Sequence, residues 1–181
     1  RLILGHSSIS TKTGGVRSSA FSFDMNRVFE DFLSATLSEV LNGFGGDVRD
    51  QDRSYHLDRE AALGLIPDIS WWKSGRPIAV IDAKYKRLEA DGFPNADAYQ
   101  MLAYCTRMSL EEGFLVYAHD DKERPRNHQI RNTDVTVKVR TIDVELEPEG
   151  LLAQVSRLAE EILKGCQLAH DHSADPATLA R

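Results

Sequence analysis

The chain has 181 residues, of which 41% are hydrophobic and 28% are charged, and its formal net charge is −6. This composition is typical of one globular domain, or of one domain with an extension. The negative net charge argues against a protein that holds nucleic acid by bulk attraction, but it is compatible with an enzyme whose acidic residues bind metal ions. No apolar run approaches the roughly 20 residues of a membrane span, and no signal-peptide pattern is visible.

The two cysteines, Cys105 and Cys166, are too few for a disulfide framework and lack the spacing of a zinc site. We therefore expect a cytoplasmic protein in a reducing environment. Residues 1–22 are weakly patterned and rich in Ser, Thr and Gly. Because the chain starts at Arg1 and enters an apolar segment at once, we expect a fragment of a longer protein or a processed one, with residues 1–22 continuing a missing N-terminal region.

The first strong element is a helix that begins after Asp24, a residue type preferred at helix N-caps, and ends near Asn42-Gly43. Its apolar residues recur at helical spacing from Met25 to Leu41. Glu30 falls on the flank of this apolar stripe, so we expect it to be half-buried. The alternative interpretation is an ordinary flank charge in water.

Residues 66–87 form the central feature, a predicted hairpin of two apolar strands joined by a polar turn from Lys73 to Pro77. A hairpin centred on Gly75 places Asp68 opposite Asp82, and directly opposed side chains share a face at about 5 Å. Lys84 lies two residues beyond Asp82 and shares that face as well. A slip of one residue would put the two carboxylates on opposite faces.

The remaining elements complete a mixed α/β sandwich, because strands and helices are interspersed along the chain. A strand is predicted before the hairpin, from Val48 to Leu57, and a turn or short helical piece at residues 58–62. After the hairpin we predict, in order, a helix at Ala96–Met108, a buried strand at Gly113–Ala118, a polar loop at His119–Asn132, a half-buried strand at Val135–Val144 and a helix at Leu151–Leu168. The residues from 170 onward are predicted to be a polar tail.

Pro67-Asp68, followed after a gap by Asp82-Ala83-Lys84, resembles the motif of the PD-(D/E)XK nuclease superfamily. The chain departs from the commoner pattern in having Asp82 in place of Glu, which is still a metal-ligating carboxylate. The resemblance implies a restriction-endonuclease-like core with a mixed central sheet flanked by helices, in the order αβββαβ. The nuclease domain would then occupy residues 23–169.

Two further segments look like the McrC family, the nuclease subunit of McrBC-type modified-cytosine restriction systems. Residues 23–32 are similar to the first nuclease helix of that family, and residues 98–104 contain its Gln-x-x-x-Tyr pattern, here Gln100 and Tyr104. The resemblance covers residues 21–118. Family members are longer and carry an N-terminal region that docks on an AAA+ GTPase, and that region would be missing here.

By this resemblance the chain would be a Mg²⁺-dependent endonuclease that hydrolyses phosphodiester bonds of double-stranded DNA, with Mn²⁺ as a possible substitute. A McrB-like AAA+ GTPase partner would recognise modified bases and hydrolyse nucleotide. Hard oxygen ligands suit Mg²⁺, and the expected ligands are Asp68, Asp82, the backbone carbonyl of Ala83 and, directly or through water, Glu30. Lys84 would position the attacking water or stabilise charge on the phosphate. Gln100 and Tyr104, one helical turn apart, would support Lys84 or contact the DNA backbone.

Three alternatives stay open at the level of sequence. The acidic residues of the hairpin could form a structural ion pair with Lys84, and Gln100 and Tyr104 could be an ordinary pair at the edge of the core. The protein could be a stand-alone repair or defence nuclease of the same superfamily. It could also be a catalytically silent scaffold that docks an NTPase.

Overall fold

The computed structural model describes residues 24–86, 94–119 and 125–172, with the side chains of the last range described to residue 165, and also the backbone of two short strands. These strands, β1 (Ser8–Ile9) and β2 (Ala20–Phe21), pair antiparallel. The rest of the predicted segment 1–22 and the tail after residue 172 lie outside the described residues. No helix within the described ranges is long and apolar enough to cross a membrane.

The first helix, α1 (Met25–Asn42), has the boundaries that its capping residues predict. The Asp24 side chain accepts hydrogen bonds from the backbone N–H groups of Asn26 and Arg27, which would otherwise lack partners in the first turn. Its buried face carries Phe29, Leu33, Leu37 and Leu41, at the spacing of one helical stripe.

Six strands form a mixed central sheet, and this confirms the predicted α/β class. The strands are β3 (Asp47–Asp50), β4 (Tyr55–His56), β5 (Gly64–Leu65), β6 (Ile69–Lys73), β7 (Arg76–Lys84), β8 (Glu112–His119), β9 (Arg126–Gln129) and β10 (Thr136–Asp143), of which β4 and β5 form a separate antiparallel pair. The order across the central sheet is β3-β6-β7-β8-β10-β9; β7, β8 and β10 run parallel to one another, and the other neighbours pair antiparallel.

Helices cover both faces of the central sheet. On one face α1 and α3 (Pro148–His172) pack on alternate residues of the inner strands, such as Ile81 and Phe114. On the other face α2 (Asn95–Met108) packs on the intervening residues, such as Val80 and Leu115. Since successive strand residues point to opposite faces, Asp82 and Lys84 lie on the same side of β7 as Val80, beneath α2.

Two predictions in the less regular part of the chain were wrong. The strand expected at residues 48–57 ends at Asp50, because Gln51 has a φ of 43°, which an extended strand does not allow; Tyr55 and His56 pair instead with β5. The polar loop expected at residues 119–132 contains β9, an edge strand whose exposed side gives it no apolar pattern.

The hairpin of β6 and β7 has the predicted register near its acidic residues, although the turn is tighter than expected. Ser74 and Gly75, both with positive φ, form a two-residue turn, so Lys73 pairs with Arg76. A bulge between Trp71 and Trp72 then shifts the ladder by one residue, and Ile69 pairs with Ile81. Extended by one residue, this register places Asp68 across from Asp82.

Candidate functional site

Asp82 is a buried carboxylate at the end of β7, only 1% exposed. Its Oδ2 lies 2.6 Å from Nζ of Lys84 in an ion pair, whereas its buried Oδ1 has no hydrogen-bond partner among the described residues. Asp68 is fixed beside it, because the backbone N–H of Ala83 donates a 2.9 Å hydrogen bond to Oδ2 of Asp68. The structure therefore brings together both acidic residues and the lysine of the predicted motif.

The environment of Asp82 disfavours its negative charge. Burial removes the carboxylate from water, and the nearby charge of Asp68 adds repulsion; together they raise the pKa of Asp82 to about 7, against the opposing attraction of Lys84. One ammonium therefore does not compensate for two carboxylates. A site with this imbalance has a physical reason to bind a further cation.

Lys84 is held in its position by a chain of hydrogen bonds from α2. Its Nζ donates to Oε1 of Gln100 at 3.3 Å, Nε2 of Gln100 donates to the Tyr104 hydroxyl at 2.8 Å, and that hydroxyl donates to the carbonyl of Ile66 at 2.8 Å. Burial opposes the charge of Lys84, but the hydrogen bond with Asp82 and the combined attraction of Asp82, Asp68 and Asp97 outweigh it and raise the pKa of Lys84. Burial and the charges of Asp82 and Asp68 raise the pKa of Tyr104, so its hydroxyl is a neutral donor.

Glu30 approaches the site from α1, in the layer opposite α2, and is half-buried as predicted. Its Oε2 accepts a 3.2 Å hydrogen bond from Nε2 of Gln51. Burial and the charge of Asp68 raise the pKa of Glu30, and Lys84 acts in the opposite direction. Glu30 therefore interacts electrostatically with the centre, from its edge.

Two residues at the site were not predicted from the sequence. Gln51 contacts Glu30, and Asp97 of α2 accepts a 2.6 Å hydrogen bond from the Tyr117 hydroxyl and forms a 2.7 Å ion pair with Lys86. Asp97 could have been found by helical periodicity, since it precedes Gln100 by three residues on the same face of α2. Gln51 has no comparable signal, because its role depends on a backbone conformation that its residue type does not indicate.

The donor set fits a hard divalent cation in part. In the described ranges no three His, Cys, Asp or Glu residues are close enough together to form a metal-binding group, so Glu30 does not join Asp68 and Asp82 in one ligand cluster. The two carboxylates nevertheless supply the oxygen ligands that Mg²⁺ prefers, and the unpaired Oδ1 of Asp82 is a buried acceptor that lacks a partner. Glu30 suits the predicted water-mediated contact better than the direct one.

Comparison with known proteins places the chain in a family. The family model described as McrBC 5-methylcytosine restriction system component matches residues 1–118. The chain belongs to the McrC family. This confirms the predicted resemblance, and the match includes α1, the acidic hairpin and the Gln100–Tyr104 helix.

A solved structure has a similar fold. It is described as the refined half-complex from a tetradecameric assembly of Thermococcus gammatolerans McrB AAA+ hexamers with bound McrC, and the TM-score of the matched chain is 0.62 at 18% sequence identity. The match covers 80% of the present chain and 34% of the other, so the present chain spans about a third of that relative's length. No curated protein sequence matches the chain.

Proposed function

We propose that this chain is the nuclease part of a McrBC-type restriction system, and that it hydrolyses phosphodiester bonds of double-stranded DNA through a Mg²⁺-dependent centre of the PD-(D/E)XK type. The main support is Asp82, a buried carboxylate with an unpaired oxygen next to Asp68 and Lys84. A purely structural ion pair would balance its charges, and this cluster carries one more carboxylate than ammonium. Membership of a restriction-system family makes DNA the natural substrate.

Asp68 and Asp82 would hold the ion with the carbonyl of Ala83, and Glu30 would contact it through water. When bound, Mg²⁺ supplies a Lewis acid for the phosphate and lowers the pKa of a bound water. Asp82 is held on β7, one of the two middle strands of the sheet, and Asp68 is fixed by the N–H of Ala83. These acidic residues are therefore preorganised by backbone contacts, which limits the reorganisation needed to bind.

Lys84 would orient the attacking water or stabilise the negative charge that develops on the phosphate. Its ammonium remains charged at neutral pH, because the neighbouring carboxylates, mainly Asp82, raise its pKa despite burial. Oε1 of Gln100 accepts a hydrogen bond from one of the three N–H groups of Lys84, and Gln100 is itself oriented by its hydrogen bond to Tyr104. The helix α2 therefore restrains the ammonium beside Asp82, which supports its proposed role near the phosphate.

A McrB-like AAA+ GTPase would be the partner, and it would recognise the modified bases and hydrolyse nucleotide. The similar fold found in an assembly of McrB hexamers with bound McrC supports this part of the proposal. The region expected to dock on the GTPase is the N-terminal region that the family carries beyond a nuclease domain.

The first experiment measures DNA cleavage by the chain assembled with a McrB-like partner, GTP and Mg²⁺. We expect Asp82→Ala and Lys84→Ala each to lower the cleavage rate by a factor of at least about 100, because each removes a group that acts on the reacting phosphate. Lys73→Ala is the matched control, since Lys73 is an exposed lysine at the other end of the same hairpin. Cleavage at the wild-type rate in both site variants would refute the assignment.

Two measurements separate the two alternative functions. Cleavage by this chain without any NTPase would indicate a stand-alone nuclease. An absence of Mn²⁺ binding to the chain with Asp68 and Asp82 intact, measured by calorimetry, would indicate a scaffold.

A further inference from the structure

Gln51 stands out because its backbone is strained. It follows β3 directly and has a φ of 43°, in the left-handed region that residues with a side chain rarely adopt. Such a conformation is unfavourable for a residue with a side chain and persists only where surrounding contacts enforce it. The contacts that enforce it here lead to two of the predicted site residues.

The backbone of Gln51 is tied to Asp68. The pairing of β3 with β6 ends at Asp50 and Ile69, and one residue further the N–H of Gln51 donates a 3.0 Å hydrogen bond to the carbonyl of Asp68. The left-handed conformation thus ends the strand while it keeps Gln51 attached to the acidic end of the hairpin.

The side chain of Gln51 is tied to Glu30. Nε2 donates to Oε2 of Glu30 at 3.2 Å, and Oε1 accepts a 3.0 Å hydrogen bond from Nη1 of Arg27. The Arg27 contact determines the orientation of the amide, because it requires the carbonyl oxygen on its own side and leaves the NH₂ group for Glu30. One residue therefore connects α1 to the hairpin across the edge of the site.

The chemistry of an amide suits this position. A neutral NH₂ group stabilises the ionised carboxylate of Glu30 without adding a positive charge that would repel a divalent cation. A lysine or arginine there would satisfy Glu30 equally well but would compete with the metal. The contact occupies Oε2 of Glu30, and no hydrogen bond to its Oε1 occurs among the described residues.

We propose that Gln51 is a positioning residue that holds the Glu30 carboxylate at a fixed distance from Asp68 and Asp82, so that Glu30 contributes to cation binding at the proposed metal centre. This inference rests on the proposed function, since it requires a metal at that centre. Gln51 acts through Glu30 and contacts neither DNA nor the ion.

The test compares variants that keep the backbone but lose the side-chain contact. Asn and Gly both tolerate the left-handed conformation, and neither reaches Glu30, because Asn is shorter than Gln by one methylene and Gly has no side chain. Gln51→Asn and Gln51→Gly should therefore fold, and either one suffices if the other does not. Gln129→Asn is the matched control, because Gln129 lies on β9 at the opposite edge of the sheet.

The measurement is Mn²⁺ affinity, determined by calorimetry and by the electron paramagnetic resonance signal of free Mn²⁺, together with the unfolding midpoint without metal. We expect about tenfold weaker Mn²⁺ binding in both Gln51 variants, the typical effect of removing a residue that orients a metal-site carboxylate. The unfolding midpoint should change little, because the relief of backbone strain offsets the loss of the two side-chain hydrogen bonds to Glu30 and Arg27. Gln129→Asn should bind Mn²⁺ like the wild type.

The outcomes distinguish this inference from the proposed function. If the wild type does not bind Mn²⁺, or if Asp82→Ala binds it equally well, the proposed metal centre is wrong. If the wild type binds Mn²⁺ and Asp82→Ala does not, but the Gln51 variants match the wild type, the metal centre stands and the role of Gln51 is refuted. A lower unfolding midpoint with unchanged Mn²⁺ affinity would mark Gln51 as purely structural and refute the inference as well.

Discussion

Two clusters of charged residues lie on the same sheet, and they differ in how far their buried charges are paired. The α3 cluster, defined as Glu112, Lys138, Arg140 and Glu161, joins β8 and β10 to α3. The acidic cluster, defined as Asp68, Asp82 and Lys84, lies at the end of the β6–β7 hairpin. Both contain buried or half-buried charges, but only the acidic cluster leaves a buried carboxylate oxygen without a partner.

In the α3 cluster the charges are matched. Nε of Arg140 donates to Oε2 of Glu161 at 2.7 Å and Nη2 contacts Oε1, so the pair is bidentate. The remaining N–H groups of this guanidinium reach Asn127 and two backbone carbonyls, and Lys138 lies 2.7 Å from Glu112. The hydrogen bonds from Arg140 lower the pKa of Glu161 despite its burial.

The opposite directions of the Glu161 and Asp82 pKa shifts distinguish a structural cluster from a candidate functional one. A cavity of about 280 Å³ beside the α3 cluster is lined by Arg140 and Glu161, yet its charged pair is already satisfied. Space next to charge is therefore a weaker indication of function than charge without a partner.

The largest effect we expect in this comparison comes from Glu161→Gln. The change leaves Arg140, whose side chain is 12% exposed, without its anion, and it should lower the free energy of unfolding by about 3 kcal/mol. Chemical denaturation measures this loss, and Mn²⁺ affinity should not change, because the α3 cluster is separate from the acidic one. Weaker Mn²⁺ binding in this variant would break the distinction between the two clusters.

Asp82→Asn should have the opposite effect on stability to Glu161→Gln and should raise the free energy of unfolding. The pKa of Asp82 is about 7 in the folded chain against an ordinary value of 3.8, so the folded state binds this proton more tightly than the unfolded state. Its contribution to stability is therefore greatest below the ordinary value and is lost as the pH rises toward 7.

Near pH 8, without divalent ions, the variant should be more stable than the wild type, because a neutral amide replaces a carboxylate whose charge is disfavoured by burial and by Asp68, and this effect exceeds the attraction of Lys84. The difference should shrink near pH 4. Denaturation at both pH values measures it, with the exposed Asp134→Asn as control. A destabilised variant at pH 8 would mean that Asp82 is a structural ion-pair residue like Glu161.

The smallest effect is expected from Tyr104→Phe. The change removes the hydroxyl that links Gln100 to the carbonyl of Ile66, and it should lower the free energy of unfolding by about 1 kcal/mol. Cleavage should fall severalfold, because Gln100 then orients Lys84 less well. Unchanged cleavage would show that the support from α2 is dispensable. Tyr117→Phe provides a comparison, since its hydroxyl bonds to Asp97 rather than Gln100.

Much of the acidic cluster could be predicted from sequence, because its geometry depends on local periodicity. Alternation along β7 puts Asp82 and Lys84 on one face, and one helical turn of α2 puts Gln100 beside Tyr104. Asp24 at the N-cap determines where α1 begins, and helical periodicity from that point places Glu30 on the flank of the apolar stripe. These features follow from residue spacing alone, so a single sequence contains them.

Gln51 and β9 could not be predicted in the same way. The conformation of Gln51 is imposed by contacts with residues distant in sequence, such as Glu30 and Asp68, and glutamine has no preference for positive φ. The strand β9 is polar because it lies at the sheet edge, where only its pairing with β10 defines it. Both features depend on tertiary contacts, which the spacing of apolar and polar residues along the sequence does not indicate.

The bulge between Trp71 and Trp72 separates the hairpin into two halves whose pairing registers differ by one residue. Between the bulge and the turn, Lys73 pairs with Arg76, and this ladder carried onward would have put Ile81 opposite Asp68. The additional residue on β7, Ile78, corrects the count before the acidic residues are reached. The pairing at the tip of the hairpin therefore does not determine the pairing at its acidic end. If this hairpin is altered or transferred to another protein, Asp68 and Asp82 stay opposite each other only if residues are counted from the bulge rather than from Gly75.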